Sequence, residues 1–183
     1  SSLYLTSFAS SVGYANAVSW LLEQDVDVMV MSLGWKQLPD NGESSVSQEA
    51  TEATNDGVFF AISAGNAART HWEGTFRDTD EDNWLNFESG YETIVLRNQA
   101  SFSAGTQIER FLKWDDFPTT ETDYTLYLLD GDGTVIDRSR RLDGGSNHPV
   151  ERLQTTVPYT GGYQFAIAGT DPSHTVEVFG SDN

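Results

Sequence analysis

Two apolar runs of strand length, Val26-Asp27-Val28-Met29-Val30-Met31 and Val58-Phe59-Phe60-Ala61-Ile62, stop on Ser32-Leu33-Gly34 and Ser63-Ala64-Gly65-Asn66. Runs with so little polar interruption suit strands covered on both faces, the condition of a parallel sheet. Each follows a stretch with helical spacing. Between Ser11 and Gln24, Tyr14, Val18, Leu21 and Leu22 recur on one face. In the second stretch Ser45 and Gln48 have the separation of a capping box, Val46, Ala50 and Ala53 share a face, and Gly57 stands at the stop. With Leu3 to Phe8 read as an opening strand, the order strand-helix-strand-helix-strand predicts right-handed crossovers. The expected product is a three-strand, two-helix piece of a doubly wound parallel sheet. About 66 residues is small for a free-standing α/β domain, so this piece is expected to belong to a larger sheet.

After Asn66 the pattern changes to period two. Residues 92–97, 106–114, 123–130, 134–139, 151–157, 162–169 and 174–180 are strand-length segments punctuated by glycine-rich turns. Tyr124, Leu126 and Leu128 point one way, as do Tyr163, Phe165 and Ile167. Asp130-Gly131-Asp132-Gly133 has the composition of a hairpin turn. This half is expected to be an antiparallel, jelly-roll-like β-sandwich without helices. The whole chain therefore reads as α/β plus β, with a boundary that places 1–68 in the α/β part and 69–183 in the sandwich.

The charge balance narrows the partners. Lys and Arg total 10 against 28 Asp and Glu, a formal charge of -18, with Lys36 and Lys113 the only lysines. Such a surface repels nucleic acid and anionic membranes, so no nucleic-acid partner is expected. Excess carboxylate with little lysine suits work in high salt, where screening weakens self-repulsion. Without cysteine there is no disulfide framework, thiol chemistry or Cys-based zinc site. No apolar run approaches the roughly 18 residues of a membrane span. The stretch 1–10 lacks the basic flank of a signal peptide, so any export signal is expected elsewhere in the protein.

Strand ends are where open parallel sheets bind ligands. The two segments that lie there, with the helices before them, resemble the subtilisin-like serine peptidases. Residues 15–35 are similar to the helix and strand that end in that family's Ser-Leu-Gly, and residues 53–66 to its helix end, strand and Ala-Gly-Asn. The resemblance runs from Leu3 to Asn66. It implies that the Asn66 side chain donates to the developing oxyanion during peptide-bond hydrolysis, and an amide does this without titrating. It also implies that Ser32, Leu33 and Gly34 pair with an extended polypeptide substrate by strand addition. Ser63, Ala64 and Gly65 would line the pocket for a substrate side chain, and Trp35 would narrow a neighbouring subsite. A Ser-His-Asp machine also needs a nucleophile, a base and an orienting acid. The family's motifs for these are absent from the chain, and His71, His148 and His174 match none of them. The expectation is an interior fragment, inactive alone, of a secreted, extracellular endopeptidase from a salt-loving, haloarchaeal source, completed by the remaining peptidase-domain segments.

In the second half, residues 123–133 and 161–169 resemble strands of the pre-peptidase C-terminal type of sandwich, an accessory module of secreted peptidases. Asp78, Asp80 and Asp82 alternate as in oxygen-ligand calcium loops, though the glycine of a twelve-residue calcium loop is missing. Calcium is the one metal this pattern suggests, against a solvated acidic turn; the reaction class requires no cofactor. Trp72, Trp84 and Trp114 are read as core rather than as a sugar-stacking platform. Asp115 and Asp116 form an acidic pair without the second motif a glycosidase would need. The alternative function is a non-catalytic β-sandwich module binding polysaccharide or protein.

Overall fold

The computed structural model describes residues 2–39, 41–67, 70–87, 90–96, 101–142 and 147–180. The chain forms two compact units, Ser1–Gly65 and Asn66–Asn183, each with its own hydrophobic core.

The first unit comprises α1 (Ser11–Glu23), β1 (Val28–Met31), α2 (Ser45–Asn55) and β2 (Phe59–Ile62). Ser10 caps α1, its hydroxyl accepting from Gly13 N–H at 3.1 Å. At α2 the cap lies one residue before the expected one: Ser44 accepts from Ser47 N–H at 3.1 Å, while Ser45 is already helical. Gln48 reaches back to the Glu43 carbonyl at 3.3 Å instead of closing a box with Ser45. Gly57, at φ 95°, ends the helix as expected. β1 and β2 pair in parallel, Val28 against Phe59 through Met31 against Ile62.

Two expectations fail here. Leu3 to Phe8 forms no strand, so the sheet has two strands rather than three, and Leu3 and Leu5 are 97% and 92% exposed. The apolar runs are also covered on one face only. Met29 and Met31 pack with Tyr14, Val18, Val46 and Ala53, whereas Val28, Val30 and Phe59 on the other face are 55%, 78% and 69% exposed. Hydrophobic pattern records the cover a strand is suited to, and the described residues of this unit form no second layer to provide it.

The second unit is antiparallel throughout. Its strands are β3 (His71–Thr75), β4 (Ser101–Phe102), β5 (Gln107–Trp114), β6 (Tyr124–Asp130), β7 (Val135–Arg138), β8 (Arg140–Arg141), β9 (Val150–Thr156), β10 (Gly161–Gly169) and β11 (Thr175–Gly180). One sheet has the order β4-β10-β6-β7 and the other β3-β11-β5-β9-β8. Ile108, Leu112, Leu153, Val176 and Val178 of the second meet Leu126, Leu128, Phe165 and Ile167 of the first in a single core, a sandwich-like arrangement. Six expected strands appear with shifts of a residue or two at their ends. The expected segment at 92–97 contributes only a bridge between Ile94 and Phe165, and its Arg97 lies outside the described residues. β3, β4 and β8 carry too few apolar residues to show a period. Among the described residues this unit has no α-helix.

The Asp130 to Gly133 turn joins β6 to β7. The Asp130 carboxylate accepts from the N–H groups of Asp132 at 3.0 Å and Thr134 at 2.8 Å, and Gly133 takes φ 83°. Phe165 is fully buried, with the Arg110 guanidinium 5.1 Å from its ring centre. Phe165→Ala is expected to destabilise the protein by about 3–5 kcal/mol in chemical denaturation. A loss below about 1 kcal/mol would mean that the two sheets do not share this core.

Candidate active-site segment

The ladder between β1 and β2 extends one residue beyond the strands, Ser63 N–H donating to the Met31 carbonyl at 3.0 Å. Ser32-Leu33-Gly34 and Ser63-Ala64-Gly65 therefore leave from the same carboxyl end of neighbouring parallel strands, the edge at which open α/β sheets bind ligands. All six residues are exposed. The backbone groups of Ser32, Leu33 and Gly34 make no hydrogen bond with any described residue, which leaves this length of chain open to pairing. Gly65 turns the chain at φ 78° with nothing within 4 Å of an added Cβ. The need for glycine is thus one of backbone conformation, not of space. Asn66, also exposed, follows directly and opens the second compact unit. The Trp35 ring is half-buried and lies on Phe8 and Tyr14, packed against the core of the first unit.

The aspartate loop folds around its own carboxylates. Asp78 accepts from Asp82 N–H at 3.2 Å and Asn83 N–H at 2.7 Å, and Asp82 accepts from Trp84 N–H at 3.0 Å. Glu81 and Asn83 take positive φ, 64° and 73°. One carboxylate oxygen from each of Asp78, Asp80 and Asp82 lies within 4.8 Å of the others. Three carboxylates gathered this closely supply oxygen ligands of the kind a hard cation takes. Burial pushes the Asp78 carboxyl up, but the N–H groups of Asn83, Asp82, Glu81 and Asp80 outweigh it and hold it below the ordinary range. Glu92 titrates high, first through burial and then through the negative field of Asp82, Asp80 and Asp78. Sequence reasoning missed Glu92 because it stands ten positions beyond the last of the alternating aspartates.

The sequence profile of the subtilase peptidase family matches residues 6–101. The chain belongs to the subtilase family. The match continues past Gly65 and Asn66 and takes in the aspartate loop, so it crosses the boundary between the compact units. Among solved structures, the chain is similar to the Clostridium perfringens CspB protease, with a TM-score of 0.59 and 11% identity. The alignment covers 96% of this chain and 40% of that one. At that identity the likeness is one of fold. No curated protein sequence matches the chain.

Elsewhere in this subtilase chain, polar side chains join strand ends. His174 Nδ1 lies 2.8 Å from Asp115 Oδ1, and Nε2 lies 3.3 Å from Thr122 Oγ1 and 3.8 Å from Asp171 Oδ2. The imidazole thus ties the end of β5 to the approach to β6 and the β10–β11 turn. His71 stacks on Phe179, and His148 lies against Phe117. The three tryptophans do not form one platform. Trp72 packs edge-on to Phe87, Trp84 tilts against Tyr127, and Trp114 is buried with its N–H on Thr120 Oγ1 at 3.1 Å.

Acid sensitivity follows from these contacts. At Asp115 burial acts to raise the pKa, but bonds from His174 and Thr175 outweigh it and the carboxyl titrates low. Asp171 is held low by the hydroxyl and N–H of Ser173. Both titrate below the unfolded aspartate value of about 3.9, so their stabilisation is present above that pH and is lost as pH falls through the folded values. Asp115→Asn is expected to flatten the acid limb of a stability profile below about pH 4. A limb of unchanged steepness would remove Asp115 from that linkage.

Proposed function

We propose that the chain is part of a secreted subtilisin-like serine endopeptidase and supplies the substrate-pairing edge and one oxyanion donor of its active site. The observation that carries this reading is the delivery of Ser32-Leu33-Gly34 and Ser63-Ala64-Gly65 to one end of adjacent parallel strands, with the backbone of the first unpaired among the described residues. An extended polypeptide substrate adds as a strand along Ser32–Gly34, and its side chain enters a pocket floored by Ser63, Ala64 and Gly65. The Asn66 amide then donates to the carbonyl oxygen as it gains charge. Nucleophile, base and orienting acid come from other segments of the full-length protein, and the chain alone is inactive.

The remaining peptidase-domain segments are the partner of the first unit. The exposed face of Val28, Val30 and Phe59, and a parallel sheet of only two strands, support its membership of a larger doubly wound sheet. The second unit is read as a jelly-roll-like accessory module of the pre-peptidase C-terminal type. Extracellular work at high salt, in a haloarchaeal source, is supported by the charge of -18 and the scarcity of lysine. The scattered tryptophans give the alternative reading, a polysaccharide-binding module, no shared stacking surface.

In the full-length enzyme, Asn66→Ala is expected to lower kcat by about 10²–10³ with KM little changed, the magnitude known for the corresponding donor of subtilisin itself. Unchanged turnover would remove Asn66 from the mechanism. Calcium is assigned to Asp78, Asp80 and Asp82, where it has a stabilising role and takes no part in the reaction. At a calcium concentration one hundred times the Kd, the protein is expected to gain about 2.7 kcal/mol over the chelated form. Asp80→Asn should abolish most of that gain. A melting temperature indifferent to millimolar calcium would exclude the site.

A further inference from the structure

The chain between β1 and α2 is held at two points on either side of a free segment. At one end Met31 is fixed by its pairing with Ile62 and by the bond from Ser63 N–H. At the other, Trp35 is enclosed by rings: Phe8 stacks at 5.9 Å with 13° between planes, and Tyr14 meets it edge-on at 5.3 Å and 65°. Phe8 and Tyr14 also touch each other at 5.3 Å and 68°, so the three rings form a closed triangle. Tyr14 is 2% exposed on α1, and Phe8 lies two residues before the cap of that helix, which ties the triangle to α1. Between the anchors, Ser32, Leu33 and Gly34 are exposed and make no backbone bond with any described residue. Gly34 has nothing within 4 Å of a Cβ position, so no side-chain contact restrains the chain just before Trp35.

The geometry points to Trp35 as the positioning residue that holds Ser32-Leu33-Gly34 in the extended course needed to pair with a polypeptide. This rests on the reading of that segment as a peptide-pairing edge. Strand addition requires donors and acceptors aligned over several residues, and a segment free to swing loses that alignment on each encounter. Trp35 touches no substrate. Its effect grows with the number of substrate residues laid along the edge, whereas the chemical step at the scissile bond depends on it weakly.

The test measures kcat/KM of the full-length enzyme on a short chromogenic substrate and on an extended peptide with the same residue at the scissile bond. The wild type is expected to gain with substrate length. Trp35→Ala should cut that gain by about tenfold, mostly through KM, with a much smaller change on the short substrate. Trp35→Phe should restore most of it. If Trp35→Ala does not fold, Phe8→Leu decides, since it removes the stacked ring and keeps apolar bulk; it should reduce the length gain by a smaller factor. A variant that keeps the full length gain, or that loses both substrates equally, overturns the positioning role while leaving the pairing edge in place. A wild type that gains nothing with length removes the pairing edge, and the positioning role with it.

Discussion

The parallel ladder between β1 and β2 is the constraint on which the candidate site depends. Its backbone bonds set Val28 against Phe59 and Met31 against Ile62. A parallel register fixes not only which residues are neighbours but which ends of the strands lie together. Because both chains run the same way, two short polar segments separated by some thirty residues of sequence emerge side by side. A shift of one residue would turn Met29 and Met31 out of the core, so hydrophobic burial holds the register that brings the segments together.

Around that ladder, the first unit divides its work between two faces. Tyr14, Val18, Val46 and Ala53 cover Met29 and Met31, and the same aromatic cluster that completes this core takes in Trp35. Packing and positioning are thus one interaction: the ring that fills space beside α1 also ends the free segment. The opposite face of the sheet stays apolar and open. The second unit differs in having both sheets close over a single core, with Arg110 carried inside against Phe165.

Local signals were legible where the physics is local. The helices α1 and α2, the glycine stop at Gly57 and the alternation in β6 and β10 could all be read, because each depends on spacing or on one residue's backbone preference. The cap of α2 lies one residue before the expected one, since Ser44 and Ser45 are chemically equivalent and local sequence does not choose between them. Leu3 to Phe8 has a strand's composition but no pairing, because pairing is a property of two segments. β3, β4 and β8 were invisible for the converse reason: they are strands through the neighbours they bond, with little pattern of their own.

The sequence by itself determined the family signals of the chain: two apolar runs, their Ser-Leu-Gly and Ala-Gly-Asn ends, the alternating aspartates and the acidic surface. These are matters of residue type and near spacing. Only the tertiary structure decided that the two strand ends lie together and that Glu92 falls within the negative field of the aspartate loop. It also set the Trp35 ring against Phe8 and Tyr14. A side chain's direction depends on which neighbours offer the most buried contact, and those neighbours stand twenty or more residues away in the chain.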